Sequence, residues 1–242
     1  MKKTWFISDL HLDPSRPDLF KLFDEFIDSI TEKAETLYIL GDLFEFWIGD
    51  DIIDLPMGKP YLPVLNKLRA LSNSGVELYF IHGNRDFLLQ SKFIDYIGAK
   101  LLPDYKVIDL YGAPTLIMHG DTLCTDDKSY QRMRFFFRMK LVQKLYLLSS
   151  LESRKRKLQR VQEYSATAKK EKHAMIMDVN QKAVEKVMRK ANVTQLIHGH
   201  THRAAIHDFL INDEPVKRIV LGDWKDKACY FSCDNSGFEF IH

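Results

Sequence analysis

Five short apolar runs in this chain each stop abruptly and release Asp, Asn or His into a loop. Trp5-Phe6-Ile7 ends in Ser8-Asp9-Leu10-His11, Leu37-Tyr38-Ile39-Leu40 in Gly41-Asp42, and the run from Val76 to His82 in Gly83-Asn84-Arg85-Asp86. Thr115-Leu116-Ile117-Met118 ends in His119-Gly120-Asp121, and Gln195-Leu196-Ile197 in His198-Gly199-His200-Thr201-His202. Runs of this length and β-branched or aromatic content predict buried strands. Ligands of open α/β sheets bind beyond the carboxyl ends of the strands. Oxygen and imidazole donors without thiolate suit Mn²⁺, Fe or Zn²⁺. The repeated pattern therefore predicts a metal centre assembled from remote segments of an α/β fold.

A length of 242 residues, 45% hydrophobic and 28% charged, fits one domain over 1–242 with an inserted subdomain, and excludes disordered and fibrous classes. The net charge of +2 says little about partners. Cys124, Cys229 and Cys233 form neither an even framework nor a zinc spacing, which suits packing roles in a reducing compartment. Met1-Lys2-Lys3 precedes only Trp5-Phe6-Ile7, too short for a signal h-region, and no stretch reaches the roughly 18 to 20 apolar residues of a membrane span. The expectation is a cytoplasmic protein, attached to a membrane at most peripherally.

Strands and helices alternate up to about Asp121, with one helix from about Asp18, whose apolar stripe is Leu19, Leu22, Phe23, Phe26, Ile27 and Ile30, and another near 61–73. Leu43 to Asp51 reads as a loop dense in aromatics and acids. From Ala204 the texture predicts an antiparallel tail of strands near 204–211, 216–221, 228–232 and 238–241. Residues 127–190 contain neither Gly nor Pro, which predicts a helical insertion. Within it Arg132, Arg134, Arg138, Lys140 and Lys144 interleave with Met133, Phe135, Phe136, Phe137, Met139, Leu141 and Val142, and the block Arg154 to Lys157 follows. Two readings stay open. Either the apolar side packs on the sheet and the charges face water, or the segment is a basic amphipathic surface for lipid.

The series Asp9-x-His11, Gly41-Asp42, Gly83-Asn84, His119-Gly120-Asp121 and Gly199-His200-x-His202 resembles the calcineurin-like metallophosphoesterases. The segments 42–51 and Gly83 to Asp86, with the long helical insertion after His119, are similar to the branch of that family that cuts the diphosphate of UDP-2,3-diacylglucosamine in bacterial lipid A biosynthesis. The resemblance implies a four-layer αββα sandwich of two mixed sheets with an inserted helical lid at about 127–190. It implies two divalent ions, manganese being expected, with Asp9, His11 and His202 on one, Asn84, His119 and His200 on the other, and Asp42 between them. Two such ions clamp a phosphoryl group and activate the attacking water. It further implies that Asn84, Arg85 and His200 meet the diphosphate, and that Asp127, Tyr130, Ser165, Lys169 and Lys172 meet the glucosamine and its phosphate. The implied partners are UDP-2,3-diacylglucosamine and the anionic cytoplasmic face of the inner membrane, with no nucleic acid and a monomeric state.

His82 and His198, lying just inside their strands, read as structural, and Asp86 and Asp121 read either as acceptors for ligand imidazoles or as turn and cap residues. Phe44 to Trp47 either line an acyl path or plug the core. Many members of the broader superfamily carry His where Arg85 stands. A guanidinium stays charged and cannot protonate a departing alkoxide. The leaving group should then need no proton, as a nucleotide phosphate with a second pKa of about 6 does not, and Arg85 can grip a diphosphate bidentately. Two rivals stand beside this reading. One is a metal-dependent nuclease or cyclic-nucleotide phosphodiesterase of the same fold, with the basic insertion on a nucleic-acid backbone. The other is a non-catalytic membrane-surface scaffold.

Overall fold

The computed structural model describes residues 2–160 and 178–242. Strands β1 (Lys3–Ile7), β2 (Ala34–Ile39), β3 (Glu77–Phe80) and β4 (Ala99–Leu101) run parallel in one sheet. Beyond β1 the same sheet continues antiparallel through β10 (Tyr230–Asp234) and β11 (Gly237–Ile241). The second sheet has the order β5-β6-β7-β9-β8, from β5 (Tyr105–Leu110), β6 (Ala113–Met118), β7 (Gln195–His198), β8 (Ala205–Ile211) and β9 (Glu214–Val220). Its three central strands are parallel and its two edges antiparallel. The helices are α1 (Pro17–Ile30), α2 (Leu62–Asn73), α3 (Ser91–Ile97), α4 (Lys128–Arg138), α5 (Lys140–Leu147), α6 over 151–160 and α7 (Gln181–Ala191).

Alternation along each strand sorts the core into three layers. On β1, Trp5 and Ile7 face α1, α2 and α3, packing with Phe23, Leu65 and Phe93. Phe6, between them in sequence, faces the space between the sheets with Ile117, Ile197, Ile219 and Phe231. Leu116, Met118 and Leu196 pack outward on Val184 and Met188 of α7. This is the expected αββα sandwich, and burial of each such side chain contributes about 1.5–3 kcal/mol.

The tail from Ala204 does not stay together. β8 and β9 close the second sheet while β10 and β11 cross to the first, so its two hairpins serve opposite layers. The run 76–82 keeps strand geometry only over Glu77–Phe80, and beyond it His82 turns its Nε2 to the Leu89 carbonyl at 2.7 Å. Phe44 and Trp47 are buried and stacked at 4.9 Å, with Tyr61 and Phe93 edge-on to them, so both plug the core.

The described parts of 127–190 have two characters. The last helix, α7, is a covered layer of the sandwich, whereas α4 and α5 bury no residue. Their polarity is inverted relative to an ordinary surface hairpin. Phe135 is 74% exposed and Leu148 74%, and Phe136, Leu141 and Leu145 are exposed as well. Two of the cations turn inward: Arg134 pairs with Asp121 and Asp104, and Arg138 donates to the Gly83 carbonyl at 2.9 Å, while Arg132, Lys140 and Lys144 stay exposed. Arg154 of α6 is buried against the Ile48 carbonyl and the Asp51 carboxylate. Among the described residues no helix is long and apolar enough to cross a membrane.

Candidate metal centre

Past the ends of β1, β2 and β7 the backbone turns left-handed at residues that are not glycine. Asp9, His11, Asp42, His200 and His202 have φ of 55°, 49°, 53°, 70° and 59°. Each costs about 1–2 kcal/mol for an L residue, and such strain concentrates at functional sites. The loops are lashed together by Asp9 N–H to the Gly41 carbonyl at 3.1 Å, His11 N–H to Asp42 at 3.0 Å and Gly199 N–H to His119 at 2.8 Å. Two approaches demand glycine. A Cβ on Gly83 would lie 2.0 Å from Asp42 Oδ1, and one on Gly199 would lie 2.1 Å from Asp9 Oδ2.

These loops bring Asp9, His11 and His202 into one group of donor atoms and Asp9, Asp42 and His119 into another, each spanning less than 4.8 Å. Asp42 Oδ2 stands between the two sides, 3.9 Å from His11 Nε2 and 3.7 Å from His119 Nε2. Its other oxygen accepts the Arg85 N–H at 2.8 Å. Asn84 Oδ1 lies 3.0 Å from His119 Nε2, and the His200 ring stands 5.0 Å from that of His119.

The ring orientations are set from behind. His11 Nδ1 lies 2.7 Å from Glu45 Oε2, His202 Nδ1 3.3 Å from Asp223 Oδ2, and His119 Nδ1 2.8 Å from the Leu40 carbonyl. With these oxygens beside Nδ1, all three rings turn Nε2 toward the centre, the nitrogen that binds metal once it is unprotonated. His11 Nε2 and His202 Nε2 then face each other at 3.2 Å. Asp9 Oδ1 is buried with no hydrogen-bond partner, while Oδ2 accepts from Ser8 Oγ and the His200 N–H. Converging ring nitrogens and an orphaned carboxylate oxygen fit a divalent cation, whose binding would satisfy all of them.

Electrostatics agree. Burial opposes charge on Asp9, but His202 Nε2, 3.4 Å from Oδ1, and the fields of His119, His202 and His11 hold its carboxyl well below the usual range. Burial likewise opposes charge on His11, yet the Glu45 hydrogen bond and the Asp42 and Asp9 charges raise it to about 9. The pocket thus draws positive charge. Burial pushes His82 down to about 4 and His198 to about 3, leaving both neutral, as their structural reading requires.

Arg85 lies over the Phe46 ring at 4.9 Å and 3.6 Å from Glu45 Oε1. Asp86 accepts the Gly83 and Leu43 N–H groups, and Asp121 accepts the Tyr130 hydroxyl at 2.8 Å, so each clamps a loop or helix and neither holds an imidazole. Tyr130 reaches the centre, 5.9 Å from the His200 ring, whereas Asp127 caps α4 by accepting the Tyr130 N–H at 3.0 Å. Ser165, Lys169 and Lys172 lie outside the described residues. Sequence reasoning missed Glu45 and Asp223. Asp223 had a signal: Leu221-Gly222-Asp223 follows β9 as Leu40-Gly41-Asp42 follows β2.

Residues 2–204 match the family model described as calcineurin-like phosphoesterase. The chain is 45% identical over 241 residues, 100% of each chain, to a protein of Histophilus somni named UDP-2,3-diacylglucosamine hydrolase. A protein of the same name from Escherichia coli is 46% identical over 239 residues, covering 99% of this chain and 98% of its own. An archaeal phosphodiesterase superposes over 99% of this chain and 98% of its own, with a TM-score of 0.50 at 14% identity, a likeness of fold.

Proposed function

The chain belongs to the calcineurin-like phosphoesterase family, and we infer that it hydrolyses the diphosphate bond of UDP-2,3-diacylglucosamine to UMP and 2,3-diacylglucosamine 1-phosphate, a step of lipid A biosynthesis. The observation that carries this is full-length identity of 45% to a hydrolase of that name, joined to a donor cluster in which Asp42 stands between two groups of imidazoles.

Family membership implies divalent metal ions. The finer reading is two, manganese in the first place, with Asp9, His11 and His202 on one side, Asn84, His119 and His200 on the other and Asp42 shared. When bound, such a pair supplies Lewis acidity to the phosphoryl oxygens and lowers the pKa of water. The chain supplies the rest. Arg85, fixed over Phe46, holds the charged diphosphate and offsets charge that grows in the transition state. Asn84 orients the oxygens beside it. No side chain needs to protonate the leaving group, since attack at either phosphorus expels a phosphate, a weak base.

The helices α4, α5 and α6 act as a lid in this reading. A cavity of about 450 Å³ lined by Gln90, Lys140, Gln143, Lys144, Leu147 and Leu148 has the size of a small-molecule pocket and an apolar wall suited to acyl chains. Tyr130, Asp127, Ser165, Lys169 and Lys172 are proposed as contacts of the sugar and its phosphate. The outward Phe135, Phe136, Leu141 and Leu148 among lysines suit an anionic bilayer surface. The test is incubation of chelator-treated protein with UDP-2,3-diacylglucosamine, with and without Mn²⁺, followed by phosphorus NMR. UMP and the sugar 1-phosphate in equal amounts, formed only with metal, are expected. Uncleaved substrate beside cleaved bis-p-nitrophenyl phosphate would favour the phosphodiesterase reading.

A further inference from the structure

Arg218 is a buried residue whose side chain, among the described residues, has no hydrogen-bond partner. It is 8% exposed on β9, and its Nε is shut from solvent with nothing to donate to. Alternation places it with Val216 on the outer face of the second sheet, opposite His207 across the β8–β9 pairing. Burial disfavours its charge, and the carboxylate that offsets this, Asp178, is already paired with Arg203.

A cavity of about 180 Å³ opens there, lined by Arg218, Arg203, His207, Thr201 and Asp178 among others. That is below the roughly 300–1,000 Å³ of pockets that take drug-sized ligands, so the occupant is small. A buried cation left unpaired is expensive, and a partner carrying negative charge removes the penalty. The guanidinium fork matches a tetrahedral oxyanion, and Thr201 and Arg203, which line the same space, carry further donor groups.

We propose that this cavity is a binding site for inorganic phosphate or an equivalent tetrahedral oxyanion, distinct from the cation centre. Thr201 and Arg203 flank His202 in the chain. An anion held by them braces the loop that carries His200 and His202 against the outer face of the sheet. The proposal stands whether or not the substrate is a diphosphate.

The test uses full-length protein freed of metal by chelator, so that phosphate cannot gather at the cation centre. Thermal unfolding is followed against inorganic phosphate, sulfate, UMP and chloride at constant ionic strength. Phosphate and sulfate should raise the melting temperature saturably and chloride should not, and Arg218→Met should abolish the rise. UMP, too large for the cavity, should give less than phosphate at equal concentration. An undiminished rise in Arg218→Met, the absence of a saturable rise in the parent, or an equal rise with UMP would each overturn the assignment. Should Arg218→Met fail to fold, Thr201→Val removes one donor and is expected to shift the phosphate midpoint several-fold upward, and an unshifted midpoint counts against the site. A selenate-soaked crystal should show selenium beside the Arg218 guanidinium, and water alone there contradicts it.

Discussion

His11 and His202 point their Nε2 atoms at each other across 3.2 Å while Glu45 and Asp223 hold the far side of each ring. Two ring nitrogens held this close, in a pocket that also contains the Asp9 and Asp42 carboxylates, suit a shared cation, and the carboxylates behind fix which nitrogen of each ring faces it. Glu45→Gln and Asp223→Asn should therefore weaken metal binding about 10- to 100-fold. Competition with a metallochromic dye measures this. Unchanged affinity in both variants would remove the two carboxylates from the account.

Metal uptake should release protons. His11, raised to about 9, is charged at neutral pH in the metal-free chain, and a ligand nitrogen must be neutral. Affinity should climb as pH rises toward 9, and calorimetry at pH 7 in buffers of different ionisation enthalpy should report net proton release. The same shift stabilises the metal-free fold fully below the unperturbed 6.5, and that contribution is lost as pH rises through about 9. Heats that are independent of buffer would contradict the assignment.

Arg85→Ala should lower kcat by about 10²- to 10³-fold, the usual loss of one donor to a charged transition state. Metal stoichiometry should stay unchanged, because the guanidinium stacks on Phe46 away from the donor atoms of the cluster. Arg85→Lys should restore part of the rate, since a point charge replaces a fork. Alkyl phosphomonoesters should remain poor substrates throughout, and their turnover at rates rivalling nucleotide-sugar diphosphates would refute the leaving-group argument.

Much of this centre was legible in the sequence because a strand that ends in Gly-Asp or Gly-His announces itself locally. Asp9, His11, Asp42, Asn84, His119 and His202 meet as the five strand ends predict, and the aromatic loop resolves to a plug at Phe44 and Trp47. What stayed hidden depended on pairings far apart in the chain. The division of the tail between two sheets follows from β10 pairing with β1 and β9 with β7, which no local pattern encodes. The inward turn of Arg134 and Arg138 depends on Asp104 and Asp121, met only after folding. Glu45 gave no signal, lying among aromatics whose burial dominated the reading of that loop.

Docking of the lid helices should be sensitive to one ion pair. Asp51→Ala leaves the buried Arg154 with the Ile48 carbonyl as its remaining named acceptor, a loss of about 1–3 kcal/mol. The melting temperature should fall by several degrees, and Arg154→Met, which removes the charge but keeps the volume, should cost less. Equal losses would show that packing of Arg154, and not its pairing, fastens α6.

Phe135→Ser combined with Leu148→Ser should leave the melting temperature nearly unchanged, because both side chains are 74% exposed. Co-sedimentation with anionic vesicles should drop. Unaltered vesicle binding would mean that the inverted face of α4 and α5 serves some other contact.

The central claim is a pair of cations on either side of Asp42. A crystal grown with Mn²⁺ and measured at the manganese edge should show two anomalous peaks, one beside Asp9, His11 and His202, the other beside Asn84, His119 and His200, with Asp42 touching both. One peak, or none within reach of Asp42, would contradict it.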